Sequence, residues 1–130
     1  MSLNSASAPL SGYLIKRALS GKNSWKRRFI VLLGTSIKYF VDDRQSKAKG
    51  EVALSATSRV DVLLVSEKPN CFRVITPDKQ FYLCASSGAE MYFWVDAIRN
   101  TVLKLGAIKR GHFMSRGGLR FGLFLVCTLA

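Results

Sequence analysis

The chain has 130 residues, enough for one domain with a single core, and its hydrophobic content of 48% excludes a disordered chain. Its formal net charge of +12 favours a polyanionic partner: nucleic acid, an anionic membrane surface or a phosphorylated head group. A solvated basic face without a ligand is the alternative interpretation. The chain lacks an apolar signal segment and a run of the roughly 20 apolar residues that a transmembrane helix needs. A reducing cytoplasm is therefore the expected compartment.

Residues 1–10, rich in Ser and Ala, are predicted to be a flexible leader. The pattern then predicts seven short strands separated by turns such as Gly34-Thr35, Pro69-Asn70 and Pro77-Asp78. The predicted strands cover residues 12–16, 25–33, 36–41, 51–54, 59–65, 71–76 and 80–85. Strands of this length and spacing predict a mainly β fold, a bent antiparallel barrel or sandwich.

A single helix is predicted after the last strand. Ser87-Gly88-Ala89-Glu90 has the form of a capping box, and Gly106 is the predicted end of the helix. Between them, apolar positions follow a period near 3.6 and predict about five turns that cap one open end of the barrel. The apolar stripe consists of Trp94, Ala97, Ile98, Thr101 and Leu105. The domain is thus predicted over residues 11–105, followed by a basic and apolar tail over 106–130.

A basic cluster is predicted where the first two strands meet their connecting loop. Lys26 and Arg28 share one face of the second strand, and that face becomes apolar further along. In an antiparallel hairpin, Lys16 at the end of the first strand lies at the same end of the sheet. Three cations at one rim repel one another unless an anion with more than one charge lies between them. The hairpin therefore predicts an anion site at the rim, under a loop that also holds Arg17 and Lys22.

Several segments, in their order and spacing, resemble the pleckstrin homology (PH) domain over about residues 11–105. The segments are Gly12-Tyr13-Leu14-Ile15-Lys16, Trp25-Lys26-Arg27-Arg28-Phe29-Ile30-Val31-Leu32, Lys38-Tyr39-Phe40, Lys49-Gly50-Glu51-Val52 and Phe93-Trp94-Val95-Asp96-Ala97-Ile98. The resemblance implies a seven-stranded, strongly bent barrel or sandwich capped by a C-terminal helix, which the pattern of the residues also predicts.

PH domains that recognise 3-phosphorylated phosphoinositides resemble this chain in a narrower motif: a Lys ending strand one, Lys/Arg-x-Arg on strand two and a Tyr on strand three. The resemblance implies that Lys16 and Arg28 straddle the 3-phosphate and that Lys26 assists. It also implies that Tyr39 hydrogen-bonds a neighbouring phosphate. Lys49 is at a position where some high-affinity members carry a further basic ligand.

The resemblance implies a phosphoinositide-binding module that is cytoplasmic, is recruited to membranes as a peripheral protein, and needs no cofactor. We expect a monomer without catalytic activity, since the only histidine, His112, lies in the tail and no Ser/His/Asp set can be assembled in the domain. A protein-binding PH domain with weak, non-selective lipid binding is the main alternative. Nucleic acid is a less favoured partner, because Tyr39 is the only aromatic residue placed at the basic rim. Only Lys79 is available on the loop between strands six and seven, which leaves the choice among phosphoinositides open.

The three cysteines carry separate predictions. Cys71 and Cys84 face each other if Pro77-Asp78 is a two-residue hairpin turn. The two residues could then form a disulfide or remain reduced thiols. A reducing cytoplasm favours the reduced thiols. Cys127 is a candidate lipidation site, because the terminal Cys127-Thr128-Leu129-Ala130 fits a prenylation pattern loosely.

Overall fold

The computed structural model describes residues 10–18 and 24–114, and for residues 108–114 only the helical backbone. Within these residues, seven strands form one antiparallel sheet in the order β4-β3-β2-β1-β7-β6-β5, and one helix follows them. The elements are β1 (Leu10–Arg17), β2 (Trp25–Leu33), β3 (Ser36–Phe40), β4 (Gly50–Ala53), β5 (Arg59–Leu63), β6 (Cys71–Ile75), β7 (Gln80–Cys84) and α1 (Gly88–Met114). The predicted fold class is confirmed.

The hydrophobic core lies between one face of this sheet and the helix. Alternate residues of the strands point into it, as the period of two predicts, so that Leu14 and Ile30 are buried while their neighbours are less so. The helix packs on β5 and β6, and Trp94 and Ile98 are fully buried on its inner side. The predicted apolar stripe of the helix is therefore confirmed as its packing face.

The start of α1 is capped as predicted, in a slightly different form. The Glu90 backbone N–H donates to the Ser87 hydroxyl at 3.1 Å, while the Glu90 carboxylate accepts from the backbone N–H and the hydroxyl of Ser86 at 3.0 and 2.7 Å. The predicted end at Gly106 is wrong, because the helix continues to Met114. A glycine inside a helix costs about 1 kcal/mol relative to alanine, and this cost does not by itself end a helix.

A disulfide joins β6 and β7. Cys71 and Cys84 are direct cross-strand partners, and Thr76 and Lys79 are hydrogen-bonded across the Pro77-Asp78 turn, so the predicted register is confirmed. The two sulfurs are bonded to each other, and the favoured expectation of two reduced thiols is wrong. The expectation depended on the compartment, whereas the pairing depends on the register, which brings the two Cβ atoms together.

Candidate functional site

The β1–β2 hairpin brings three basic residues to one end of the sheet. Lys16 is the cross-strand partner of Lys26, and Leu14 is the partner of Arg28. Partners directly opposite each other project from the same face of an antiparallel pair. This shared face is buried at Leu14 and, further along β2, at Ile30 and Leu32, and it opens at Lys26, which is exposed. The predicted change from apolar core to basic rim is present in the structure.

Lys16 is the centre of the candidate site. Its side chain is only 7% exposed, and its ammonium lies 4.5 Å from the centroid of the Tyr39 ring and 5.2 Å from that of the Phe81 ring. Among residues 10–18 and 24–107, this ammonium donates one long hydrogen bond, 3.4 Å to the carbonyl oxygen of Arg17. Burial lowers the pKa of Lys16 below the ordinary lysine value, and the charges of Arg28 and Lys79 lower it further. The lysine is thus a cation held in an unfavourable place.

Lys79 belongs to the same cluster, although the sequence analysis noted it only as the available cation on its loop. Its ammonium lies 5.7 Å from the centroid of the Phe81 ring, and its charge acts on Lys16. Side chains alternate between the two faces of a strand, and Lys79 is two residues before the buried Phe81. This spacing indicates that Lys79 lies on the same, inward face as Phe81. The site consequently draws cations from the β1–β2 and β6–β7 hairpins.

The positive charge of this cluster is not balanced by a neighbouring carboxylate. Arg28 donates from its guanidinium to the carbonyl oxygen of Arg27 at 3.1 Å. Within residues 10–18 and 24–107, the ion pairs are elsewhere: they join Arg44 to Asp42, Arg59 to Asp61 and Arg73 to Asp61. A bound anion would provide the missing counter-charge.

Tyr39 is held in place by the strand beside it. It pairs with Ile30 on one side and with Gly50 on the other, and its own carbonyl accepts from the Lys49 backbone N–H at 2.7 Å. A Cβ atom at position 50 would overlap the Tyr39 hydroxyl, so the ring can lie across β4 only because residue 50 is glycine. From the sequence, Gly50 was identified only as part of a segment that resembles PH domains. Its role beside Tyr39 was not predicted, because it depends on how the ring packs.

The remaining predicted site residues occupy different places. Lys26 shares the face of Lys16, and Lys49 is exposed on the approach to β4. Arg17 lies on the other face of β1, where its guanidinium is 5.1 Å from the centroid of the Tyr82 ring. The structure therefore does not bring the Arg17 side chain to the cluster. Lys22 and Cys127 lie outside the described residues, as do residues 1–9 of the predicted leader and 115–130 of the predicted tail.

The part of the chain that the structure describes holds no group of three or more His, Cys, Asp or Glu side chains able to bind a metal ion. None of its helices is long and apolar enough to cross a membrane.

The structure is thus a small β domain, one seven-stranded sheet packed against a helix, with a cluster of cations at one end of the sheet. The chain matches the PH domain family model over residues 9–103 and belongs to the PH domain family. The PH domains to which it is similar are adapter or binding modules and not enzymes.

Curated relatives share this domain. The human dual adapter for phosphotyrosine and 3-phosphotyrosine and 3-phosphoinositide is 32% identical over 114 residues, covering 88% of this chain and 39% of the relative. Mouse pleckstrin homology domain-containing family A member 2 is 30% identical over 111 residues, covering 82% of this chain and 26% of the relative. Bovine switch-associated protein 70 is 33% identical over 99 residues, covering 74% and 17%. The chain thus spans well under half the length of these relatives.

Solved structures show the same fold. The C-terminal PH domain of pleckstrin superposes with a TM-score of 0.65 at 24% identity, covering 74% of this chain and 98% of that one. The same domain in complex with D-myo-Ins(1,2,3,5,6)P5 gives a TM-score of 0.64 at 26% identity, covering 72% and 93%.

Proposed function

We propose that this PH domain binds the head groups of 3-phosphorylated phosphoinositides and thereby recruits itself, or a protein that contains it, to the membrane surface. The observation that carries the proposal is the environment of Lys16, a buried ammonium with a lowered pKa, two neighbouring cations and no carboxylate partner. Such an arrangement is unfavourable in the free protein, and a multiply charged phosphate would relieve it.

The side chains of the cluster suit a phosphorylated ring. Arg28 offers a planar guanidinium that can bind two phosphate oxygens, whereas Lys16 and Lys79 offer point charges. In the described part of the chain, the guanidinium of Arg28 donates a hydrogen bond to the main-chain carbonyl of Arg27, a bond that it can exchange for one to a ligand. Lys26 projects from the same face closer to solvent, where a second phosphate would meet it. Tyr39, whose ring packs against Lys16, would supply the hydroxyl that the resemblance assigns to a neighbouring phosphate.

The comparisons support the same ligand class. The name of the human dual adapter includes 3-phosphoinositide, and the pleckstrin domain was solved with an inositol pentakisphosphate. The proposed preference for a 3-phosphate rests on the resemblance of Lys16, Lys26-Arg27-Arg28 and Tyr39 to the motif of PH domains that recognise 3-phosphorylated phosphoinositides. Protein partners would then be encountered at the membrane.

Liposome co-sedimentation at physiological salt tests the proposal. Neutral vesicles doped with single phosphoinositides would be compared for the wild type, for Arg28→Ala, and for Lys104→Ala, which removes an equal charge from an exposed position on α1. We expect the wild type and Lys104→Ala to bind vesicles carrying a 3-phosphorylated lipid, and Arg28→Ala to bind them at least about tenfold more weakly, since a charged hydrogen bond contributes about that much.

Equal binding of all three proteins to every anionic vesicle would contradict the site. That result would favour a protein-binding PH domain whose lipid binding is only electrostatic. A preference for phosphoinositides without a 3-phosphate, lost in Arg28→Ala, would keep the site and contradict the lipid preference.

A further inference from the structure

The connection between β5 and β6 carries two apolar side chains that almost nothing in the structure covers. Leu64 is 89% exposed and Val65 is 93% exposed, the highest values among the large hydrophobic residues for which the structure describes side chains. Isolated apolar residues on a surface are common, but two adjacent ones at the tip of a connection form a small projecting patch. Their exposure to water is unfavourable by an amount that scales with their apolar area.

This apolar tip is attached to the basic end of the molecule. The indole N–H of Trp25 donates to the Glu67 carboxylate at 3.3 Å, and the Lys68 ammonium lies 5.7 Å from the centroid of the Trp25 ring. Trp25 begins β2 directly before Lys26 and pairs with Arg17, so it stands at the loop end of the β1–β2 hairpin. The β5–β6 connection therefore lies beside the loop end of the hairpin, on the face of Trp25 and Arg17, while the cations of the head-group site project from the other face of the same hairpin end.

The base of the connection is anchored, whereas its tip is not. The Ala85 backbone N–H donates to the Asn70 carbonyl at 2.9 Å, and the disulfide of Cys71 follows directly. Near the tip, the Ser66 hydroxyl donates to the Lys68 carbonyl, which shapes the turn. A tip on an anchored base presents Leu64 and Val65 in a defined direction rather than folding them back on the core.

We propose that Leu64 and Val65 insert into the boundary between head groups and acyl chains of the bilayer when the neighbouring basic site is occupied. This inference rests on the proposed function, and it adds a second contact with the membrane. The two apolar side chains lie close in sequence to Lys68, at the end of the molecule that also carries the hairpin cations, and the nearby Glu67 carboxylate is bonded to the Trp25 indole. This combination matches an anionic bilayer in both charge and polarity. The two contacts act on one molecule, so the affinity for a bilayer exceeds that for the free head group.

The test separates the two contacts. Calorimetry measures binding of a soluble 3-phosphorylated inositol phosphate, and co-sedimentation measures binding to phosphatidylcholine vesicles that carry the corresponding lipid. The test variant is Leu64→Ser with Val65→Ser. The control is Leu103→Ser, because Leu103 is 62% exposed on α1 and lies beside Arg59 and Val60, at the opposite end of β5.

We expect the double variant to bind the soluble head group as the wild type does, and to bind vesicles about tenfold more weakly, in line with the apolar area withdrawn from water. Leu103→Ser should match the wild type in both assays. In a lipid monolayer, the wild type and Leu103→Ser should raise the surface pressure, and the double variant should not.

Unchanged vesicle binding and monolayer insertion in the double variant would overturn the inference. Equal losses of soluble head-group and vesicle binding would overturn it as well, because they would show that the tip shapes the site. A wild type that does not bind the soluble head group would instead contradict the proposed function on which the inference rests.

Discussion

Gly50 lies directly opposite Tyr39 across the β3–β4 pair, and the phenol ring occupies the space that a side chain at position 50 would need. The ring is also the surface against which the Lys16 ammonium rests. One missing side chain on an edge strand therefore determines where the central cation of the candidate site lies.

Gly50→Ala should displace the Tyr39 ring. We expect a loss of about 1 to 3 kcal/mol in the free energy of unfolding, the usual cost of overpacking, together with weaker phosphoinositide binding because Lys16 loses its support. Urea denaturation and co-sedimentation measure the two effects. Gly12→Ala is the matched control, since a Cβ atom there meets Trp94 at an ordinary contact distance of 3.7 Å. If Gly50→Ala proves no more damaging in a Tyr39 background than in a Tyr39→Ala background, the proposed clash is wrong.

Lys16→Met should stabilise the free protein while abolishing selective lipid binding. The substitution keeps an unbranched side chain between Tyr39 and Phe81 and removes a buried charge that Arg28 and Lys79 repel. We expect a gain of about 1 kcal/mol in the free energy of unfolding, typical of removing a functional strain. Thermal denaturation without ligand measures it. Lys26→Met at the exposed partner position should change stability by less than about 0.5 kcal/mol; a Lys16→Met protein less stable than the wild type would contradict this account.

Head-group binding should weaken at alkaline pH earlier than an ordinary lysine would predict. The pKa of Lys16 is lowered in the free protein by burial, and by Arg28 and Lys79, whereas a bound phosphate favours the charged form and raises that pKa again. Binding therefore takes up a proton as the pH rises through the lowered pKa of Lys16. Calorimetry in buffers of different ionisation enthalpy measures this uptake. The Lys16→Arg variant keeps its charge over this pH range. Its affinity for the head group should therefore not show the decrease at alkaline pH that the deprotonation of Lys16 causes in the wild type.

The same shift has a defined effect on stability. The folded pKa is below the unfolded one, so the cost of burying the charge is fully present below the lowered pKa. Between the two values the unfolded chain binds more protons, and stability should rise with pH across that window, up to about the ordinary lysine pKa of 10.5. A stability curve that falls there in the wild type relative to Lys16→Met would contradict the sign.

The Cys71–Cys84 bond should be measurable and should stabilise the fold. The chain has three cysteines, so we expect one reactive thiol per unfolded chain without reductant and three with it. Reduction should lower the free energy of unfolding by about 2 to 3 kcal/mol, the scale expected for a loop closed by a sequence separation of 13. The variant with both Cys71→Ser and Cys84→Ser controls for the reductant and should not respond to it. Three reactive thiols in the untreated chain would contradict the bond.

Much of this molecule can be read from the order of its residues. The alternation of apolar and polar positions placed all seven strands to within a few residues, because the side chains of a strand must alternate between core and solvent. The Pro77-Asp78 turn determined which residues of β6 and β7 face each other. The position of Lys16 at the end of β1, and of Lys26 and Arg28 at the start of β2, placed three cations at one end of the hairpin.

Other features depend on contacts between distant parts of the chain, and only the tertiary structure decided them. Lys79 joins the basic cluster because β7 pairs with β1. The period of two indicates the face of the β6–β7 hairpin on which Lys79 lies, but it does not indicate that this hairpin lies beside β1. The role of Gly50 follows from the direction of the Tyr39 ring. The helix α1 continues past Gly106, which shows that the low helix propensity of glycine, about 1 kcal/mol, is a weak predictor of where a helix ends. The alternation of side chains and the turns depend on residues that are neighbours in sequence, so the strands and their connections could be predicted from the sequence. The clustering of Lys16, Arg28 and Lys79 depends on long-range packing, which exists only once the sheet has assembled.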